Sequence, residues 1–137
     1  MGIANRSKDA SEQKQVISEG IQDTVTAEAE LVYHVPRAMN LLAAKSVAVG
    51  LSGAPTSTLR LNRFVAGVGL TTISISSALT AVAIGTSGVQ SFSLSASSIA
   101  LQKDDVIDCL AGGTNAALKS NMVSLVVQDL QDIKSFY

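Results

Sequence analysis

The sequence predicts an all-β fold: an antiparallel two-sheet sandwich, a jelly roll of about eight strands, with a polar N-terminal arm. Three observations predict it. Apolar residues alternate with small hydroxyl residues, as in Thr71-Thr72-Ile73-Ser74-Ile75-Ser76 and Gln90-Ser91-Phe92-Ser93-Leu94-Ser95, which is the period-two pattern of half-buried strands. Turn clusters recur about every 8–12 residues, a spacing of short antiparallel strands. Beyond the arm, no segment carries a convincing helical stripe, and no longer period recurs that would build a solenoid. An immunoglobulin-like sandwich is the second choice, since the chain has no Trp and a single Cys.

The chain divides into an arm at 1–23 and a β-sandwich domain at 24–137. The arm is polar and mixed in charge, with Arg6, Lys8, Asp9, Glu12, Lys14 and Glu19. Val16, Ile17 and Ile21 would make only a weak helical stripe. Two readings stand for it: a frayed terminus, and an arm that orders on a neighbouring subunit. Thr24–Val35 reads as the first strand, with Val25, Ala27, Ala29, Leu31, Tyr33 and Val35 on one face and Val32 as an exception. Pro36 ends it, because proline brings no N–H to a ladder.

Leu41–Leu51 reads as the second strand, with Val47, Val49 and Leu51 inward. Ser52-Gly53-Ala54-Pro55 is a turn cluster. Leu59 and Leu61 then alternate with Arg60 and Asn62, and the parity slips before Phe64, as at a bulge. Leu70–Ser76 and Leu79–Ile84 follow. Gly85-Thr86-Ser87-Gly88 turns the chain into Val89–Ala96. Ile99 and Leu101 run into a polar turn at Lys103-Asp104-Asp105, and Val106–Leu110 is a further strand. Ala111-Gly112-Gly113-Thr114-Asn115 is a loop, and Ala116–Lys119 is short enough for one helical turn. Met122–Leu130 is the last strand, with Val123, Leu125 and Val127 inward. The tail ends in Phe136-Tyr137, an aromatic pair suited to folding back or to a contact.

Composition excludes several functions. Of the 137 residues 47 % are apolar, enough for one real core, yet only 15 % are charged and the net charge is −1. The basic residues Arg37, Lys45, Arg60, Arg63, Lys103 and Lys119 are scattered, so no stripe for nucleic acid forms. Ile73–Ile84 is too short and too rich in Ser and Thr to span a membrane. Met1–Asp23 lacks the basic start and apolar run of a secretory leader. With Cys109 alone, no intrachain disulfide can form.

Chemistry finds few footholds. His34 is the only histidine, and Glu30 and Glu28 on the same strand lie about 14–20 Å from it at strand rise, too far to orient a general base. Cys109 beside Asp108 reads as a buried, inert thiol, since a reactive thiolate needs a positive neighbour. Asp104, Asp105 and Asp108 match no EF-hand spacing and read as a solvated turn. Gly67-Val68-Gly69 lacks the third glycine of a dinucleotide loop, and no Gly-x-Ser-x-Gly elbow occurs. No catalytic residue, cofactor, metal ligand or small-molecule substrate is therefore expected.

The main functional clue is what residues 64–102 lack: they contain no Asp, Glu, Lys or Arg. Soluble sheets ordinarily guard their edges and outer faces with charge, above all Lys. A neutral sheet surface suits permanent contact with other protein.

Tyr33-His34-Val35-Pro36, then Lys45 through Pro55, then Leu59-Arg60-Leu61, and later Lys103-Asp104-Asp105-Val106-Ile107 and Gly112-Gly113-Thr114, together resemble the small jelly-roll head decoration (cement or staple) proteins of tailed bacteriophages. The resemblance spans residues 30–130 and consists of turn and strand residues. It implies a non-enzymatic virion protein, made in the host cytoplasm. Such a protein binds the outer face of the capsid, bridges neighbouring major capsid protein subunits, and forms a homodimer or homotrimer. The alternative is a fibre or adhesin-type sandwich module binding a glycan or a host surface; its expected aromatic platform is thin here, with no Trp.

Overall fold

The computed structural model describes residues 14–25, 28–113 and 116–129. They form ten strands: β1 (Lys14–Val25), β2 (Ala29–His34), β3 (Met39–Ser52), β4 (Thr56–Val65), β5 (Gly69–Ser74), β6 (Leu79–Thr80), β7 (Gln90–Ser91), β8 (Ile99–Leu101), β9 (Val106–Gly112) and β10 (Ala117–Asp129). One short helical turn, α1 (Ile84–Ser87), precedes β7. The strands make two sheets. The first runs β1-β10-β3-β7, with β8 also on β3; the second runs β2-β9-β4-β5, with β6 also on β4. Every pairing between named strands is antiparallel. The fold is an all-β, two-sheet antiparallel sandwich.

The core lies between the sheets. Leu41, Val123, Leu125 and Val127 from the first sheet meet Leu59, Leu61, Ile107 and Cys109 from the second. The expected inward sets on β10 (Val123, Leu125, Val127) and β4 (Leu59, Leu61) are all buried. A second, smaller cluster of Ala48, Ala81, Ala111 and Leu118 closes one end.

Other expectations are corrected. Residues 14–23, assigned to the arm, belong to β1, which pairs along its length with β10; the weak helical stripe of Val16 and Ile17 is a strand. The reason is that β10 offers a long edge, and pairing with it outweighs a poor local pattern. Residues 1–13 and the Phe136-Tyr137 pair lie outside the described residues. The single strand expected over Thr24–Val35 is two: its start closes β1 in one sheet, and Ala29–His34 is β2 in the other. On β2, Leu31 opposes Asp108 and Tyr33 opposes Ile107, so Val32 is an extra residue in the ladder. That bulge turns Val32 inward and leaves Leu31 71 % exposed.

A bulge also inverts β3. Val127 opposes Leu41 but Val126 opposes Ala43, so Leu42 is the extra residue. The inward set changes from Met39 and Leu41 to Ala44, Ser46 and Ala48. Val47 and Leu51, expected inward, are therefore only half-buried, and Val49 is exposed. Conversely, β4 carries no bulge before Phe64: its register with β5 is unbroken from Arg60 to Val65. Ala117–Lys119, expected as a helical turn, opens β10.

Candidate interaction surface

The residues singled out as candidate chemistry are brought into separate ion pairs. The polar turn between β8 and β9 is tied to the end of β2: Val35 N–H donates to Asp105 O at 2.8 Å, and Asp104 N–H donates to Val35 O at 2.7 Å. Asp104 adopts φ of 70°, a left-handed conformation that Asp tolerates better than most residues. This places Asp104 Oδ1 2.9 Å from His34 Nε2, both side chains largely exposed.

Asp105 and Asp108 are not solvated, contrary to the sequence reading. Asp105 is 1 % exposed and Asp108 5 %. Arg63 Nε and Nη2 donate to Asp105 Oδ1 and Oδ2 at 3.0 and 2.8 Å, and Gln102 N–H donates to Oδ2 at 2.7 Å. Arg60 Nε and Nη2 hold Asp108 Oδ1 and Oδ2 at 2.9 and 2.8 Å. Both are forked, charge-assisted pairs, and the hydrogen bonds to the carboxylates push both guanidinium pKa values further up. Arg37 pairs with the fully buried Asp129 differently, Nε and Nη2 both meeting the one oxygen Oδ2. The cluster of acids is thus split among separate basic partners. Among the described residues no group of three His, Cys, Asp or Glu converges on a point.

Cys109 is 1 % exposed. Burial pushes its thiol up to about 11, and the Ser57 hydroxyl, close by but without a hydrogen bond of ordinary geometry, pulls slightly the other way. An unfolded thiol ionises at lower pH than the folded one. The unfolded state therefore releases its proton first, and stability falls as pH rises from about 9 to about 11. The expected loss is on the order of 2–3 kcal/mol. A Cys109→Ala variant lacks this part of the decline, which denaturant melts at pH 8, 9.5 and 11 measure by difference. Equal pH slopes for the two proteins contradict it.

What the fold does leave open is apolar surface. β4 and β5 form a hairpin closed by a turn in which Val68 N–H donates to Val65 O at 3.0 Å. Gly67 sits in that turn at φ of 83°, a conformation glycine adopts without strain. Phe64 opposes Leu70 on one face, and Leu61 opposes Ile73 on the other. Leu61 is buried, but Ile73 is 58 % exposed, and Phe64, Val68 and Leu70 are each exposed by 70 % or more. On the inward face Ile73 stays uncovered because the first sheet ends in strands of two and three residues, while Phe64 and Leu70 lie on the outer face, away from that sheet.

The outer face of the first sheet is apolar too. Val16 on β1, Met122 on β10 and Val49 on β3 are exposed. Gly20, Val47, Val49, Ser120, Asn121 and Met122 line a recess of about 230 Å³. Its floor is open over Gly20, where a β-carbon would touch nothing. A shallower recess of about 320 Å³ lies on the edge of β3, lined by Leu42, Lys45, Ser91, Phe92 and neighbours; its one aromatic ring, Phe92, is buried.

Sequence reasoning identified the neutrality of 64–102 but expected hydroxyls outward. The exposed skin also carries Leu70, Ile73, Val68 and Phe64. The signal for that was present in the adjacent Gly67 and Gly69, which mark a tight hairpin standing off the sandwich.

Among the described residues no helix is long and apolar enough to cross a membrane. No family model matches the chain, and a search of curated proteins finds no match. A solved chain from Bacillus endospore appendages, described as a novel family of disulfide-linked pili, is 18 % identical over 91 % of this chain and 97 % of its own, with a TM-score of 0.33. That likeness is too distant to carry an argument about this chain.

Proposed function

We propose that this protein is a structural, non-enzymatic subunit of a virion: it decorates the outer face of a capsid and cements it by bridging neighbouring major capsid protein subunits. The observation that carries the reading is the β4–β5 corner, where Phe64, Val68, Leu70 and Ile73 are all exposed within a stretch free of charged residues. Exposed apolar side chains gathered on both faces and the tip of one hairpin mark a place that other protein covers. The capsid as the partner comes from the sequence resemblance to phage decoration proteins.

The strand connectivity supports the jelly-roll form of the sandwich. β1 pairs with β10, β2 with β9, β3 with both β7 and β8, and β4 with both β5 and β6, so the outermost strands in sequence pair with each other and later pairs nest inward. Such a subunit acts by covering joints. Each contact contributes modestly, and many copies on a closed shell combine by avidity. A homodimer or homotrimer multiplies the effect.

The test is to mix the purified protein with expanded, undecorated capsids and measure sedimentation with bound stoichiometry. Saturable binding at a fixed ratio to the major capsid protein is the expected result. No binding to capsids, together with selective binding on a glycan array, overturns it in favour of an adhesin-type module.

A further inference from the structure

We infer that the free edge of β5 is a self-association site, at which a second copy of this chain adds its own β5 antiparallel about a two-fold axis. The inference rests on the reading of the chain as an assembly subunit and names the first partner in that assembly.

The backbone supplies the first argument. Among the described residues β5 is the outermost long strand of its sheet and pairs only with β4, and no other backbone hydrogen bond among them reaches Gly69–Ser74. One side of the strand therefore presents open N–H and C=O groups, a template for another strand.

Symmetry supplies the second. A two-fold axis perpendicular to the sheet sets β5 against β5 antiparallel and keeps each face of the sheet continuous, so Leu70 and Phe64 of one copy extend the same face of the other. An isologous contact brings identical residues together, and like charges placed opposite one another would oppose it. Residues 64–102 carry no charge, so nothing on β5 or the hairpin tip opposes the pairing.

Side chains supply the third. Leu70 and Ile73, 70 % and 58 % exposed, stand on the edge strand itself and pack beside the side chains of the partner's β5, whereas Phe64, one strand further in, remains on the open face.

Sedimentation equilibrium of the free protein tests this. The expected species is a dimer of the 14.1 kDa chain at micromolar concentration. Leu70→Lys and Ile73→Lys, at positions that are 70 % and 58 % exposed, are expected to weaken the dimer at least tenfold while leaving the thermal melt of the monomer in place. Val49→Lys, on the other sheet, is expected to leave it dimeric. Should either lysine variant fail to fold, amide exchange of the wild type on dilution gives the same answer: protection of Gly69–Ser74 is lost as the dimer dissociates. A monomer at all concentrations, a trimer, or a dimer indifferent to both β5 variants overturns the inference. A monomer that still saturates capsids overturns self-pairing alone; a β5 dimer that ignores capsids overturns the capsid reading alone.

Discussion

Leu125→Ala is expected to lower the unfolding free energy by about 3–5 kcal/mol, enough to leave much of the protein unfolded at physiological temperature. Leu125 is fully buried in the middle of β10, the strand that holds the first sheet together. It faces Ala44 of β3 on one side and Ile17 of β1 on the other. Ala44 is already small, so neighbouring side chains cannot close the space without moving strands. The loss is therefore the transfer energy of the missing atoms plus an unrelaxed cavity. Met122→Ala, three residues earlier and 45 % exposed on the opposite face, is expected to cost under about 1 kcal/mol. Urea melts of the two variants measure the contrast; equal losses would falsify the assignment of the inward face of β10.

Arg60→Ala is expected to destabilise by about 3 kcal/mol, because it strips the forked partner from a buried carboxylate. The reverse change, Asp108→Ala, is expected to cost less. The asymmetry follows from exposure: the Arg60 side chain is 26 % exposed and can turn to water, whereas Asp108 is 7 % exposed and cannot. Asp108 without Arg60 holds an unpaired charge in the sheet. Guanidinium melts of the two variants decide it. A larger loss for Asp108→Ala contradicts this account of the pair.

Where the backbone ladder is regular, the sequence is legible. Leu59-Arg60-Leu61-Asn62 alternates without interruption, and its inward residues are those the pattern names. Where an extra residue enters the ladder, alternation misleads. The bulge at Leu42 carries β3 from odd to even inward positions, and the pattern Val47-Ala48-Val49 gives no sign of it, since the larger residues lie on the outer face. The inward positions are filled by Ala44, Ser46 and Ala48, small residues that let the two sheets approach. β1 was illegible for another reason: of its residues from Lys14 to Gly20 only Ile17 is even half-buried, so its hydrophobic period is nearly empty and its identity as a strand comes from β10.

The ion pairs were beyond the reach of spacing. Arg60 and Asp108 lie 48 residues apart, and Arg63 and Asp105 lie 42 apart. Only the antiparallel register of β4 on β9, with Arg60 opposite Asp108, brings the first pair together. The interaction surface was half legible. A run without charge can be read from residues, but whether its apolar members are covered depends on how far the facing sheet extends. Here that sheet stops short of Ile73, while Leu70, on the opposite face of β5, points away from it.

The central claim is that the β4–β5 corner is covered by protein in the working state. Amide hydrogen exchange over residues 64–74, measured on dilute free protein and on protein bound to expanded capsids, addresses it directly. The account predicts at least tenfold slower exchange across β5 in the bound state, with little change in β10, whose amides are already held within the sheet. Identical exchange across 64–74 in the two states, at saturating occupancy, would contradict it.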